Sequence, residues 1–309
     1  MIYTFTANPS LDRTLVLKRI ALGEYNRGEL THYDLGGKGI NVSRNLRSQG
    51  QESTLLGFFG GRIGAWLIDD LESQGYRTVP FKVEGESRSN ITLIETDFDR
   101  LTKLNELGPE VRVGDASAVH RWVEEKCELG DIWVLAGSLP PGLPDTFYAD
   151  LIEVIQSNGG KTYLDTSGKP LASGWQQEPY FVHGNQDEFA ALLNRQLVDR
   201  EDCIQAVRDM GTSGTEHIVL SRGDQGALAW SGGDIVEAIP PSVVVENAVG
   251  AGDAMIAAIV CGHLENWNLE RVIRWGVSAG TLSAMQEGTA TVDYSDLKAF
   301  ERRVISCYI

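Results

Sequence analysis

The 309-residue chain predicts an α/β fold. A central, mainly parallel sheet is expected between layers of helix, with a small separate β-sheet as a lid. Three observations carry this expectation. Short apolar strands alternate with helical segments of about 10–15 residues, the rhythm of βαβ units with both sheet faces covered. Two extended regions, near residues 12–35 and 88–105, break that rhythm and are mixed polar and apolar, as a sheet with one wet face would be. Polar or Gly-rich loops recur at strand exits, where open sheets of this kind bind ligands. No repeat, low-complexity segment or Pro-rich linker divides the chain. One domain over residues 1–309 is expected, with the lid inserted into it.

Ile2 to Thr6 predicts a short buried strand, broken by Ala7-Asn8-Pro9-Ser10 and followed by Asp12. Thr14 to Ile20 and Glu29 to Leu35 are extended. Gly36-Gly37-Lys38-Gly39 opens a helix with Ile40, Val42 and Leu46 on one side. Ser53 to Phe59 is a strand, Gly64 to Gln74 a helix closed by Gly75, and Thr78 to Val83 a strand. Asn90 to Glu95 and Leu101 to Asn105 flank a turn and predict a hairpin. Strands at Ile132 to Ala136, Lys161 to Leu164, Tyr180 to Val182 and Ile218 to Ser221 then alternate with helices at Asp115 to Cys127, Asp145 to Gln156, Gln186 to Leu193 and Asp202 to Met210. A second hairpin spans Ala227 to Ile239. Helices close the chain at Ala254 to Leu264, Leu269 to Met285 and Ser295 to Val304.

Composition narrows the function. Hydrophobic residues make up 42% and charged residues 23%, ordinary for a globular protein with a sizeable core. The net charge of −16 argues against nucleic acid or an anionic membrane as partner, though a few local cations can still hold a small anion. Cys127, Cys203, Cys261 and Cys307 are scattered without a C-x-x-C pair, which predicts a reducing compartment and no zinc site. The first residues show no charged n-region and apolar run, and Ala254 to Cys261 is too short to span a bilayer. The expectation is a cytoplasmic protein.

Chemistry concentrates at Asn247 to Met255. Beta-branched Val243 to Val245 predict a strand into this stretch, and an apolar helix leaves it. Gly250 and Gly252 let the backbone approach a ligand. The amides at the start of that helix lack partners, and the helix dipole adds positive potential, so the turn suits an anion, phosphate above all. Asp253 at the helix mouth fits either an N-cap or a general base acting on an attacking hydroxyl.

Other loops have milder signals. In Gly36-Gly37-Lys38-Gly39-x-Asn41 the glycines allow close approach, Lys38 supplies a cation and Asn41 a donor and an acceptor; an ordinary Gly-rich turn reads the same way. Gly137-Ser138-Leu139-Pro140-Pro141-Gly142 fits a rigid strand-to-helix connection. Asn185 and Glu188 form a capping box of sorts. Ser221-Arg222-Gly223-Asp224-Gln225-Gly226 fits a plain turn. Familiar nucleotide motifs fail: no G-x-G-x-x-G occurs, Gly160-Lys161-Thr162 lacks the upstream glycine of a Walker A loop, and the kinase-style H-R-D and D-F-G are missing.

The order of these motifs resembles the PfkB, or ribokinase-like, carbohydrate kinases: an early Asp, G-G-K-G-x-N, G-S-L-P-P-G, N-x-x-E and a late G-A-G-D. The resemblance covers essentially the whole chain. Thr6 to Asp12, with Asn26-Arg27, is similar to the phosphosugar branch that includes 1-phosphofructokinase and tagatose-6-phosphate kinase. It implies a ribokinase-like three-layer sandwich whose β-sheet lid pairs two subunits into a homodimer, and ATP and Mg²⁺ as co-substrate and metal. Asp253 would be the catalytic base, with Gly250 and the amides of Ala251, Gly252 and Asp253 around the transferring phosphoryl group. Asp12, Gly37, Lys38 and Asn41 would bind the sugar phosphate, with Arg27, Arg88 and Ser138 as further contacts. Asn185, Ser221, Gly223 and Gly226 would bind the nucleotide, and Glu188 would hold the metal through water.

Some positions depart from that pattern. Ala248 stands where Thr or Ser is usual, His183-Gly184 where Lys-Pro is usual, and Arg222 where Leu is frequent. Lys103, on the lid hairpin, replaces an acid and could serve a 6-phosphate. The expected reaction is ATP-dependent phosphorylation of fructose 1-phosphate to fructose 1,6-bisphosphate. Tagatose 6-phosphate and fructose 6-phosphate are the nearest alternatives, and a non-catalytic nucleotide or sugar-phosphate sensor is the alternative of another class.

Overall fold

Strand β1 (Ile2–Thr6) is buried along its whole length, and the sheet grows outward from it. In the computed structural model, which describes every residue except 287, 289 and 290, the chain leaves the core at once for the lid strands β2 (Ser10–Leu17) and β3 (Glu29–Gly36). It returns through helix α1 (Lys38–Ser48), β4 (Thr54–Gly60), α2 (Gly61–Ser73) and β5 (Arg77–Val83). A second excursion makes β6 (Arg88–Glu95) and β7 (Arg100–Asn105). Then α3 (Val113–Lys126), β8 (Ile132–Ala136), α4 (Phe147–Ser157), β9 (Lys161–Asp165), α5 (Gly168–Trp175), β10 (Phe181–Asn185) and α6 (Gln186–Leu192) alternate. The last part holds α7 (Arg200–Met210), β11 (His217–Ser221), β12 (Ala227–Ser231), β13 (Asp234–Ile239), α8 (Ala251–Leu264), α9 (Leu269–Ala284), α10 (Tyr294–Phe300) and β14 (Ile305–Tyr308).

The main sheet runs β14-β13-β12-β11-β10-β9-β8-β1-β4-β5. It is parallel from β5 to β11 and antiparallel beyond. Side chains alternate across it, as the period of two requires. Tyr3 and Phe5 enter one core layer with Trp133, Leu135 and Phe147. Ile2 and Val134 enter the other, against Val42 of α1 and Ile256 and Ile259 of α8. Tyr3 stacks on Trp133 with ring centroids 4.2 Å apart.

The lid is a second sheet of order β3-β2-β6-β7. Its two halves come from separate excursions and join through the parallel pair β2–β6. A large, mainly parallel sheet with a smaller separate one is the expected fold class.

Three expectations need correction. Val243 to Val245 form no strand: the chain from Ile239 to the turn at Gly250 is irregular, and Val244 and Val245 are exposed. Pro240 and Pro241 lack the N–H groups that a ladder needs, so β13 ends there. The final helix stops at Phe300 and passes through a 3₁₀ turn (Glu301–Arg303) to β14, which pairs with β13 at the sheet edge. Helix α5 was not expected; Gly168 and Pro170 at its start hide a helical period only 8 residues long.

Candidate active site

Asp253 is the third residue of α8, and it caps nothing. The N-cap is Gly250, whose φ of 86° lies in the left-handed region that suits glycine. The Asp253 carboxylate turns inward instead, where Oδ2 accepts a hydrogen bond from Asn41 Nδ2 at 2.8 Å. Beside it, the N–H groups of Gly252 and Asp253 lie in the first helical turn, where the helix itself offers no acceptor. The N–H of Ala251 is partly engaged, 3.3 Å from the Ala248 carbonyl. A buried carboxylate next to outward amides is suited to take a proton while an anion sits on the turn.

A chain of polar contacts crosses the strand ends behind Asp253. Lys38, the first residue of α1, places Nζ 3.0 Å from Oδ2 of Asp165. The other oxygen of Asp165 pairs with Nδ1 of His183 at 2.8 Å. His183 Nε2 in turn lies 3.2 Å from Ser221 Oγ. Asp165 and Ser221 are the last residues of β9 and β11, which flank β10 in the sheet, so His183 of β10 bridges the two strand ends.

Charge and burial decide the ionisation here. Burial pushes the Asp253 carboxyl up to about 7; Lys38 opposes this, Asp165 adds to it, and the Asn41 hydrogen bond and His183 oppose it. Burial also acts against ionised Asp165, yet Lys38 and His183 outweigh it and hold that carboxyl well below the usual range. Burial likewise disfavours charged Lys38, but Asp165, then Asp253 and Glu188, hold its pKa above the ordinary value.

The lid supplies a second polar cluster. Ser10 Oγ donates to Asp12 Oδ1 at 2.7 Å, and Asn90 Nδ2 donates to the same oxygen at 2.8 Å. Arg88 is half-buried; its Nε donates to the Asn8 carbonyl at 3.1 Å, and burial lowers its pKa against the pull of Asp12. Gly36 packs so tightly on Ser10 and Asp12 that a methyl group there would collide with both. Buried Thr6 Oγ1, Asn8 Oδ1, Asn41 Oδ1 and Asn90 Oδ1 have no hydrogen-bond partner among the described residues, which leaves them able to accept from hydroxyl groups.

The other residues expected to contact a sugar phosphate divide. Gly37 takes φ 127° and packs against Thr6. Ser138 is exposed in the loop after β8, and the neighbouring Gly137 lies against the Lys38 side chain. Lys103 is exposed, but it pairs with Thr92 one row beyond Asn90–Asn105, so it shares the sheet face of Asp12. Arg27 is exposed in the loop between β2 and β3. That loop is at the far end of the lid from Asp12, so the fold of one chain does not bring Arg27 to the cluster.

Among the residues expected at a nucleotide, Asn185 and Glu188 form a reciprocal capping box at the start of α6, with bonds of 2.9 and 2.8 Å. Gly223 is exposed at φ 59°, whereas Gly226 is buried at φ 81° against the Ala238 carbonyl. Gly226 therefore serves the turn into β12. Arg222 points inward, 2.5 Å from Glu237, which also pairs with Arg200. Asp165, His183 and Asn90 were missed as site residues. Asp165 did leave a signal, a carboxylate closing an apolar strand at its carboxyl end.

Comparison with known proteins shows the family. The model of the pfkB family carbohydrate kinases matches residues 6–296. The 1-phosphofructokinase of Bacillus subtilis is 31% identical over 294 residues, covering 95% of this chain and 96% of that protein. The tagatose-6-phosphate kinase of Staphylococcus epidermidis is 30% identical, covering 95% of each. Among solved structures, phosphofructokinase-2 from Escherichia coli superposes with a TM-score of 0.91 at 29% identity, over 97% of this chain and 98% of that one. The chain belongs to the pfkB family of carbohydrate kinases.

Proposed function

We propose that the protein transfers a phosphoryl group from ATP to a ketohexose phosphate, fructose 1-phosphate first among them, to give fructose 1,6-bisphosphate. The observation that carries this is Asp253: a buried carboxyl pushed up to about 7, beside free helix-start amides and facing Lys38. Asp253 takes the proton of the sugar 6-hydroxyl as that oxygen bonds to the γ-phosphorus. The bond from phosphorus to the bridging oxygen breaks, and ADP leaves with the electron pair. The amides of Gly252 and Asp253 and the Lys38 ammonium offset charge on the transferring group. Asp12, Asn41 and Asn90 orient the sugar, Arg88 meets its phosphate, and the lid excludes water.

Ser221 and Gly223 border the nucleotide site. No cluster of three or more carboxylate, His or Cys ligands occurs among the described residues, which fits Mg²⁺ carried mainly by nucleotide phosphates and water. Glu188, with one oxygen committed to the cap, would meet that hydration shell. When bound, Mg²⁺ supplies charge neutralisation across the nucleotide phosphates.

Lys103 favours a second reading. Its place on the Asp12 face of the lid suits a 6-phosphate, so fructose 6-phosphate or tagatose 6-phosphate would then be phosphorylated at the 1-hydroxyl. A homodimer through the lid belongs to the proposal as well: on the face away from Asp12, Leu30 is 45% and Leu104 53% exposed, and a second copy would cover them. Four free cysteines fit a cytoplasmic setting. No helix among the described residues is long and apolar enough to cross a membrane.

The test is ADP release from MgATP with fructose 1-phosphate, fructose 6-phosphate, tagatose 6-phosphate and fructose side by side. The highest kcat/KM is expected with fructose 1-phosphate. A preference for either 6-phosphate selects the second reading, and turnover of free fructose alone rejects the phosphate role of Arg88.

A further inference from the structure

Lys38 has two buried carboxylates within its reach and is paired with the one that does no chemistry. Its Nζ is 3.0 Å from Asp165 Oδ2, while Asp253 is hydrogen-bonded to the neutral amide of Asn41. Lys38 and Asn41 are three residues apart on α1 and so share a helix face. Asn41 reaches Asp253 from that face, and the Lys38 charge opposes the rise of the Asp253 pKa. Asp165 is only 1% exposed, and His183 fixes its other oxygen from β10. The anchor is therefore rigid, whereas the lysine stem is flexible.

We propose that Asp165 is a positioning residue: it anchors Lys38 on the far side of the site and keeps that cation from closing an ion pair with Asp253. Everything charged or titratable that faces Asp253 enters this balance: Lys38 from α1, Asp165 from β9 and His183 from β10. Glu188 of α6 acts on Lys38. Without the Asp165 charge, Lys38 is left with Asp253 as its nearest buried counter-ion. An ion-paired Asp253 binds a proton weakly and becomes a poor acceptor for a hydroxyl proton. Asp165 thus maintains a base that its own negative charge also makes more basic. The inference rests on Asp253 acting as the base.

The experiment records kcat/KM for the preferred phosphosugar with saturating MgATP from pH 5 to 9, with a thermal melt beside each profile. The wild type is expected to gain activity through an acid limb near the value of about 7. Asp165→Asn should move that limb down by roughly 1–3 pH units, the usual effect of an opposite charge at close range, with a lower plateau. Asp165→Ser serves as the second variant, with the same expected shift, in case the buried asparagine disturbs folding. Asp165→Glu should restore the wild-type limb. The double variant Asp165→Asn/Lys38→Gln should return the limb to the wild-type position or above, because the displaced cation is gone. A limb that stays in place in both single variants, with only Tm and total activity lowered, makes Asp165 merely structural and overturns the proposal. A wild type with no acid limb, or an Asp253→Asn enzyme of near-normal turnover, would instead remove the base assignment and this proposal with it.

Discussion

Asn41 and Asp253 lie 212 residues apart in sequence, yet the amide of one fixes the carboxylate of the other at the mouth of α8. The Asn41 Nδ2–H bond to Oδ2 stabilises the ionised form, so its loss should raise the pKa of Asp253 further. In Asn41→Leu the acid limb of kcat/KM is expected to move above pH 7, with kcat/KM at neutral pH down by on the order of 10²-fold, because sugar positioning is lost as well. A pH profile in which the limb stays or falls would show that the bond does not control the base.

Asp253→Asn should separate activity from stability. On the proposed role of Asp253 as the base, kcat should fall by on the order of 10²–10⁴-fold. Stability should change in the opposite sense. The folded-state value of about 7 exceeds the ordinary 3.8, so the folded protein holds a proton that the unfolded chain releases in that window. Stability therefore falls as pH rises through it. An asparagine has no such penalty, so at pH 8 the variant should be more stable by up to about 4 kcal/mol, from 1.36 kcal/mol per unit. The gain should vanish near pH 3. Urea unfolding at the two pH values measures both ends.

Gly36→Ala tests the lid cluster without touching a charge. Its methyl group meets Ser10 and Asp12, so the Asp12 carboxylate must shift. A displacement of about 1 Å can lower kcat/KM for the sugar by on the order of 10²-fold. The KM for ATP should not move, since the nucleotide loops lie on other strands. Equal losses for both substrates would mean that the lid had unfolded.

Glu237→Gln should damage the fold more than the chemistry. Glu237 is buried and pairs with both Arg200 and Arg222, and Arg222 is itself 8% exposed. Removing the one carboxylate leaves a buried guanidinium uncompensated, which costs about 3–5 kcal/mol. The midpoint of urea unfolding reads this directly, and KM values at low temperature should remain near those of the wild type.

Much of the fold was legible because burial imposes a period. Strands such as Ile132 to Ala136 are continuously apolar, and the helices between them repeat every three to four residues, so the parallel core followed from the pattern. Pieces that escaped are those where backbone chemistry outweighs side-chain pattern. Val243 to Val245 have strand-forming side chains, but Pro240 and Pro241 deny them a ladder. β14 is four residues at an edge, too short to show alternation. At the site, the sequence pointed to Asp253, Lys38 and Asn41 through glycines and spacing, but it left Asp253 open between cap and base. The inward turn of its carboxylate removes the cap, and the base is the proposed role. Asp165 and His183 were illegible as a pair, because their partnership depends on β9 and β10 lying side by side, a long-range fact that no local motif encodes. Arg222 stood out only as a departure where Leu is frequent, and its descent to Glu237 is equally a matter of tertiary packing.

The lid, assembled from two excursions of the chain, has a kinetic consequence. Its central seam, β2 against β6, joins segments separated by β3, α1, β4, α2 and β5. That seam cannot form until the core strands between have docked, so the lid should be the last part to fold and the first to open. Amide hydrogens of β6 and β7 should then exchange with solvent faster than those of β1 and β8. Phosphosugar bound to Asp12, Arg88 and Asn90 would slow that exchange across the whole lid together, as one cooperative unit. Water entry to the chemical step would thus be governed by a local folding equilibrium, and substrate would tighten the enclosure in proportion to its own affinity.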